Sequence, residues 1–276
     1  MPDRLKVVTY NVHGCRSGIE RIIQVLREQD ADIIFLQEIG RGDSDSPDQA
    51  ARIAEALGGR HVVSAATLGL PSTQHCDEAI LTRLEVSHPA AHSLDEGGWV
   101  YAVQARVQAP GRPLHLLSVH TRSTFRLETN HVIKSSQTRL AQVTQLLEVI
   151  RKLEGDVIVA GDFNAAPWMP EYHGITRLLT DFGLVNQAAK LTYPSHRPAV
   201  RIDYVFGRGQ FTSRMYRVLA GRFSDHRPVV TELVREVGKK SKRQNVETSD
   251  RWEKPAGRRS GLQPSRCDMA STRSWI

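Results

Sequence analysis

The chain has 276 residues, 40% hydrophobic and 24% charged, the make-up of a soluble globular protein with room for one sizeable domain or two small ones. No stretch approaches the roughly 20 apolar residues of a bilayer-spanning helix. The start, Met1 to Lys6, has no apolar signal core, and three scattered cysteines (Cys15, Cys76, Cys267) argue against a disulfide framework or a zinc site, so a reducing cytoplasm is the expected setting. The net charge of +7 is uninformative about a substrate, because from Arg235 onward there are 11 basic and 5 acidic residues, while residues 1–234 hold 26 basic against 25 acidic.

Leu5 to Tyr10 is a β-branched run that reads as a strand, with Asn11 and His13 at its exit. Ser17 and Glu20 form a capping box for a helix with an apolar face of Ile19, Ile22, Ile23 and Leu26. Asp32 to Glu38 is a second buried strand ending in polar groups. Ser46 and Gln49, with Pro47 at the first helical position, announce a helix facing inward through Ala50, Ile53, Ala54 and Leu57 and stopped by Gly58 and Gly59. Strands are expected over 61–65, 78–84 and 99–107, the last two separated by a loop through His88, Pro89, Gly97 and Gly98. Another covers Leu114 to Val119 and ends on His120.

Residues 121–134 read as an irregular polar loop with Arg122, Arg126, His131 and Lys134. Gln137 to Leu153 is a helix with Leu140, Val143, Leu147 and Ile150 on its apolar face and Arg139, Gln142, Gln145 and Glu148 away from it. The apolar run Val157 to Ala160 is a buried strand that meets Gly161, Asp162, Phe163 and Asn164. A short helix over 170–179, a strand near Leu184 and Val185, and strands over Arg201 to Phe206 (with one inward acid, Asp203) and Phe211 to Leu219 follow. Ser224 to Arg227 is a polar loop before the last strand, Val229 to Val234, which Pro228 opens. The body therefore occupies 1–235, and 236–276 is a basic, periodicity-free tail expected to be disordered.

In an extended chain Asp162 and Asn164 point to the same side; the alternative is that both are ordinary turn residues. At least five strand ends carry polar groups of one chemical type: Asn11, Glu38, His120, Asp162 with Asn164, and Asp225 with His226. Carboxylate and amide oxygens without thiolates suit a hard cation, Mg²⁺ or Mn²⁺, and with histidines they are the equipment for moving a phosphoryl group.

Six ordered segments, Thr9 to Gly14, Leu36 to Glu38, Ser118 to His120, Gly161 to Asn164, Arg201 to Tyr204 and Ser224 to Val229, resemble the endonuclease/exonuclease/phosphatase superfamily that contains DNase I and exonuclease III. The resemblance spans 5–234. It implies an α/β fold, a four-layer α-β-β-α sandwich of two mixed, mostly antiparallel sheets, acting as a monomer on a phosphate ester, DNA and RNA included. It also implies roles: Glu38 as principal metal ligand, Asn11 beside it holding metal or phosphate, and Asp225 assisting the metal. Asp162 would orient the attacking water, Asn164 and His120 would contact the phosphate, and His226 would be the catalytic histidine whose tautomer and pKa Asp203 sets.

Glu78 reads either as support for His120 or as an exposed strand residue; Arg122, Arg197 and Arg201 read as solvated loop groups ahead of the alternative of phosphate contacts, and His196 reads as loop surface. Within the superfamily, Ile39 and Gly40 after Glu38 depart from the threonine-lysine of the exonuclease III branch, and Thr192 to Ser195 lacks its paired tryptophans. Ala165 and Ala166 after Asn164 depart from the inositol-polyphosphate 5-phosphatase motif, and the aromatic hairpin of secreted sphingomyelinases is missing. The leading expectation is a Mg²⁺-dependent, nuclease-like phosphodiesterase. The alternatives are a phosphomonoesterase or a lipid or small-molecule phosphodiesterase with the same site, or a non-catalytic nucleic-acid- or membrane-associated protein acting through its tail.

Overall fold

The computed structural model describes residues 4–40, 48–70, 77–98, 100–109, 112–123, 129–185, 190–221 and 223–235; the expected tail, Pro47 and Arg126 lie outside them. Two six-stranded sheets form the centre. The first runs β11 (Phe211–Val218), β12 (Val229–Arg235), β1 (Arg4–Asn11), β2 (Ile33–Ile39), β4 (Asp77–Thr82), β3 (His61–Ser64). The second runs β5 (Val86–Ser93), β6 (Tyr101–Ala109), β7 (Arg112–His120), β8 (Asp156–Asp162), β10 (Asp203–Arg208), β9 (Thr180–Asp181). Among the described residues, only β1 with β2 and β7 with β8 pair in parallel.

The central strands read as unbroken apolar runs because both of their faces are buried. In β8, Ile158 and Ala160 enter a core between the sheets, with Val7, Phe35 and Ile80 of the first sheet. Val157 and Val159 point the other way, into a layer shared with helices α3 (Thr129–Lys152) and α4 (Pro170–Thr176). On the far side of the first sheet, Val8, Tyr10 and Ile34 meet Ile22 and Leu26 of α1 (Ile19–Gln29) and Ile53 of α2 (Gln49–Ala56). Helices therefore cover both outer faces, the four-layer sandwich expected from the sequence. Among the described residues, no helix is long and apolar enough to cross a membrane.

Local departures have physical reasons. Helix α1 starts behind Gly18 with no side-chain cap, and Glu20 pairs with Arg52 instead of closing a capping box. The cap of α2 is Asp48, which accepts from the N–H of Ala50 at 2.8 Å and of Ala51 at 3.4 Å. The expected loop through His88 and Pro89 is an edge strand, β5, and Pro89 sits in the register shift between Ser87 and Ala90, where no ladder hydrogen bond is required. Helix α3 begins at Thr129, inside the segment read as loop.

The face of α3 is also rotated from the expectation: Arg139 and Gln142 are buried while Leu140 is 40% exposed. Arg139 Nε bonds Glu171 Oε1 of α4 at 3.1 Å, and Gln142 Oε1 accepts from the Arg122 N–H at 3.0 Å, so polar partners fill what periodicity assigns to solvent. Leu184 and Val185 are exposed and form no strand; β9 precedes them.

Gly161 is required by close approach. Its φ is +151°, and a Cβ there would lie 1.8 Å from the Val119 carbonyl oxygen of the neighbouring strand. A backbone atom in mid-sheet cannot yield, so Gly161→Ala is expected to cost on the order of 3 kcal/mol or more in urea unfolding, whereas a cost below about 1 kcal/mol would show that the strand pair can open.

Candidate active site

Strand register assembles half of the site. His120 lies opposite Asp162 in the parallel β7–β8 pair, and Asp203 lies opposite Asp162 in the antiparallel β8–β10 pair. Three adjacent strand ends thus place these side chains side by side. From the first sheet, Asn11 ends β1, and Glu38 turns out of β2 at a bulge between Leu36 and Ile39 with φ +53°. A left-handed φ at a non-glycine residue is uncommon and recurs where side chains are held for function.

Asn11 joins the sheets. Its Nδ2 donates to Glu38 Oε1 at 3.0 Å and to Asp162 Oδ2 at 3.1 Å, while its Oδ1 accepts from the His13 N–H at 3.1 Å. One layer below, Thr9 Oγ1 donates to Gln37 Oε1, and Gln37 Nε2 donates to Ser118 Oγ across the same seam. These bonds fix the spacing between two elements that hydrophobic contact alone would let slide.

His120 Nε2 lies 3.6 Å from Asp162 Oδ2 and 3.9 Å from Glu38 Oε1. His226 stands on the other side of Asp162, its Nε2 at 3.5 Å from Asp162 Oδ2 and its Nδ1 donating to Asp203 Oδ2 at 2.9 Å. Burial pulls the His226 imidazole down, but Asp203, Asp162 and Asp225 outweigh it and push the pKa up to about 10. The ring is therefore charged at neutral pH, with a proton on each nitrogen. Burial raises the Asp162 pKa, against the pull of His226. Ser224 positions the loop by donating from Oγ to the Asn11 carbonyl at 2.7 Å, and Ser195 Oγ donates to the Ser224 carbonyl at 2.6 Å.

Asn164 does not continue the strand. It adopts φ +46°, its N–H donates to Asp162 Oδ1 at 2.9 Å, and its Nδ2 donates to the Thr121 carbonyl at 2.9 Å. Phe163 between them is buried edge-on against Tyr204 and Phe206, with ring centroids at 5.9 and 5.1 Å, which anchors the turn. The segment is thus both a turn and part of the site. Asp225 stands apart, at the rim, with Oδ1 3.3 Å from His13 Nδ1.

Three further residues change status. Glu78 is buried rather than exposed, and burial, then the charges of Asp77 and Glu38, raise its pKa well above the usual carboxylate range. Arg201 is no solvated loop group: it is buried and bidentate to Asp181 at 2.7 and 2.8 Å. Tyr193, which sequence reasoning passed over, lays its ring 4.8 Å from that of His226. Its motif neighbours Thr192 and Ser195 carried no signal that the ring would face the site. Arg122, Arg197 and His196 are exposed, as expected.

The donor set fits a hard divalent cation. Glu38, Asp162 and Asp203 supply carboxylate oxygens, and Asp162, Asp203 and His226 have ligand-type atoms within 4.8 Å of one another. His226 is already hydrogen-bonded to Asp203 and charged, so the oxygen-rich side toward Glu38 is the better cradle. Cys15, the one cysteine among the described residues, is buried, with its thiol pushed up to about 11 by burial, and offers no thiolate.

The Endonuclease/Exonuclease/phosphatase family model matches residues 8–226. No curated protein sequence matches the chain. Among solved structures, the chain is similar to an endonuclease/exonuclease/phosphatase family protein from Bacteroides thetaiotaomicron, at 18% identity and a TM-score of 0.66, covering 86% of this chain and 100% of that one. It is also similar to a mannosyl-6-phosphatase from Bacteroides thetaiotaomicron VPI-5482 (19%, TM-score 0.65, 83% and 99% covered) and to D. rerio TDP2 complexed with single strand DNA product (17%, TM-score 0.66, 84% and 99% covered). At these identities the structural likeness is one of fold, whereas the family match takes in every strand end just described. The chain belongs to the endonuclease/exonuclease/phosphatase family, whose members are hydrolases acting on phosphoester bonds.

Proposed function

We propose that this chain is a divalent-cation-dependent phosphodiesterase, nuclease-like in substrate, that attacks phosphorus in line with a water molecule. The observation that carries this reading is the continuous link Asp203–His226–Asp162–Asn11–Glu38, which crosses from one sheet to the other.

Asp203 holds His226 by Nδ1, leaving the Nε2 proton to meet a phosphoryl oxygen as negative charge builds on it. Asp162 accepts a proton of the attacking water and so aims its lone pair at phosphorus; its own position is fixed by Asn11 and by the Asn164 N–H. His120 steadies the phosphate from the side of β7, and Asn164 offers the second N–H of its amide. Glu38 would hold the cation, with Asp225 assisting from the rim, and Asn11 orients the Glu38 and Asp162 carboxylates. Mg²⁺ or Mn²⁺ bound there supplies neutralisation of phosphate charge and of the leaving oxygen.

Charge favours a diester over a monoester. Among the described residues the carboxylates Glu38, Asp162, Asp203 and Asp225 stand around the charged His226 and would outnumber even His226 and one divalent cation together, so a monoanionic diester is repelled less than a dianionic monoester. With Mg²⁺, purified protein is expected to hydrolyse bis-p-nitrophenyl phosphate with a kcat/KM at least about tenfold above that for p-nitrophenyl phosphate, a difference of about 1.4 kcal/mol. EDTA should abolish both activities. Preference for the monoester would replace this reading with a phosphatase, and turnover in EDTA would remove the cation from it.

A further inference from the structure

The loop leaving the catalytic turn carries Trp168, 73% exposed and the largest apolar side chain on the surface among the described residues. Isolated exposed apolar residues are ordinary, but a tryptophan this exposed on a rigid loop beside a reactive centre is informative. The loop is held at every step. Ala165 and Ala166 are buried, and the Ala165 carbonyl accepts from Tyr204 Oη at 2.7 Å. The Met169 N–H closes a turn on the Ala166 carbonyl at 2.9 Å, and Met169 packs against the core under α3 and α4. Pro167 further restricts the backbone, so the indole is presented on a fixed arm rather than a mobile one.

That arm is short. Trp168 is four positions beyond Asn164, so their Cα atoms are at most about 14 Å apart, and the turn over 166–169 shortens the span. On the other side of Asn164, its Nδ2 bonds the carbonyl of Thr121, whose neighbour Arg122 is exposed. An exposed arginine and an exposed tryptophan are thus each tied to the catalytic turn, one through the Asn164–Thr121 hydrogen bond and one by a short length of chain. Alternating cation and aromatic ring is the arrangement by which single-stranded nucleic acid is held, the cation on backbone phosphate and the ring under a base.

We propose that Trp168 is a stacking platform for a nucleobase next to the scissile phosphate of a single-stranded substrate, with Arg122 toward a flanking phosphate. This rests on the phosphodiesterase reading and names the substrate class for that site. The site chemistry itself does not require a base; the exposed indole offers the surface for one.

The test uses the full chain carrying His226→Asn, in Mg²⁺, so that turnover is slow while binding is read. It is titrated with a short oligothymidylate and with a sugar-phosphate strand of the same length that lacks all bases. Adding Trp168→Ala should weaken oligothymidylate binding about 5- to 150-fold and leave the base-free strand unchanged, and Trp168→Tyr should restore most of the loss. Oligothymidylate should also quench tryptophan fluorescence, and the quench should disappear in Trp168→Tyr. Equal weakening of both strands, or of neither, overturns the platform. If these signatures appear but the unsubstituted chain does not cleave oligothymidylate, the platform stands and the nuclease-like reading fails. Cleavage with a silent Trp168→Ala means the reverse, and failure of oligothymidylate to bind at all sinks both.

Discussion

His226→Asn is expected to lower kcat for a phosphodiester by roughly 10³-fold while the protein keeps its fold. Asparagine can still donate to Asp203 from near the position of Nδ1, so the buried carboxylate keeps a partner, while the proton at Nε2 and the positive charge of the ring are lost. Because that proton matters as charge develops on phosphoryl oxygen, kcat and kcat/KM should fall together and KM should move little. Asp203→Asn should lose about 10²- to 10⁴-fold, since an amide no longer holds the imidazole charged and can pair with the wrong tautomer. Near-normal turnover in His226→Asn, with circular dichroism and melting unchanged, would remove His226 from the chemistry.

The second large effect is on stability. Asp181 receives two bonds from Arg201, one from Tyr172 Oη at 2.7 Å and one from the Gly183 N–H at 2.8 Å, all of them buried. Arg201 also lies over the Tyr204 ring at 4.4 Å. Asp181→Ala would leave the Arg201 charge in the interior with its bidentate partner gone, a change that costs about 3–5 kcal/mol. For a body of this size the melting temperature should drop by roughly 6–20 °C. Arg201 sits two residues before Asp203, so the same variant should weaken activity at temperatures well below its melting point. A cost below about 1 kcal/mol in urea unfolding would mean that the pair behaves like a surface ion pair.

How far the sequence exposes this design depends on the interaction concerned. Strands β1, β2 and β8 are legible because runs such as Val157 to Ala160 must bury both faces, and the polar residue that ends each run is the one aimed at the site. Convergence of Asn11, Glu38, His120, Asp162, Asp203 and His226 is legible only through the ordered motifs; no single strand end distinguishes itself from a surface turn. What stays hidden depends on partners far away in sequence. Arg139 and Arg201 look solvated until Glu171 and Asp181 are placed beside them. Tyr193 looks like loop surface until an isolated bridge to Val200 is formed and its ring lies beside that of His226. The edge strand β5 hides because Pro89 and a bulge erase its alternation, and the Ser17 cap fails because Gly18, at φ +104°, lets the helix start without it.

In the proposed reaction, water attacks phosphorus at the strand ends where Asp162 and His226 meet. The most direct measurement of this attack is hydrolysis of thymidylyl-(3′→5′)-thymidine in ¹⁸O-enriched water with Mg²⁺. Attack by water should leave one ¹⁸O in the nucleoside monophosphate and none in the released thymidine, and labelled product should be lost in His226→Asn. Label in the alcohol, no hydrolysis by the unsubstituted chain, or labelled product at an unchanged rate in His226→Asn would contradict this mechanism.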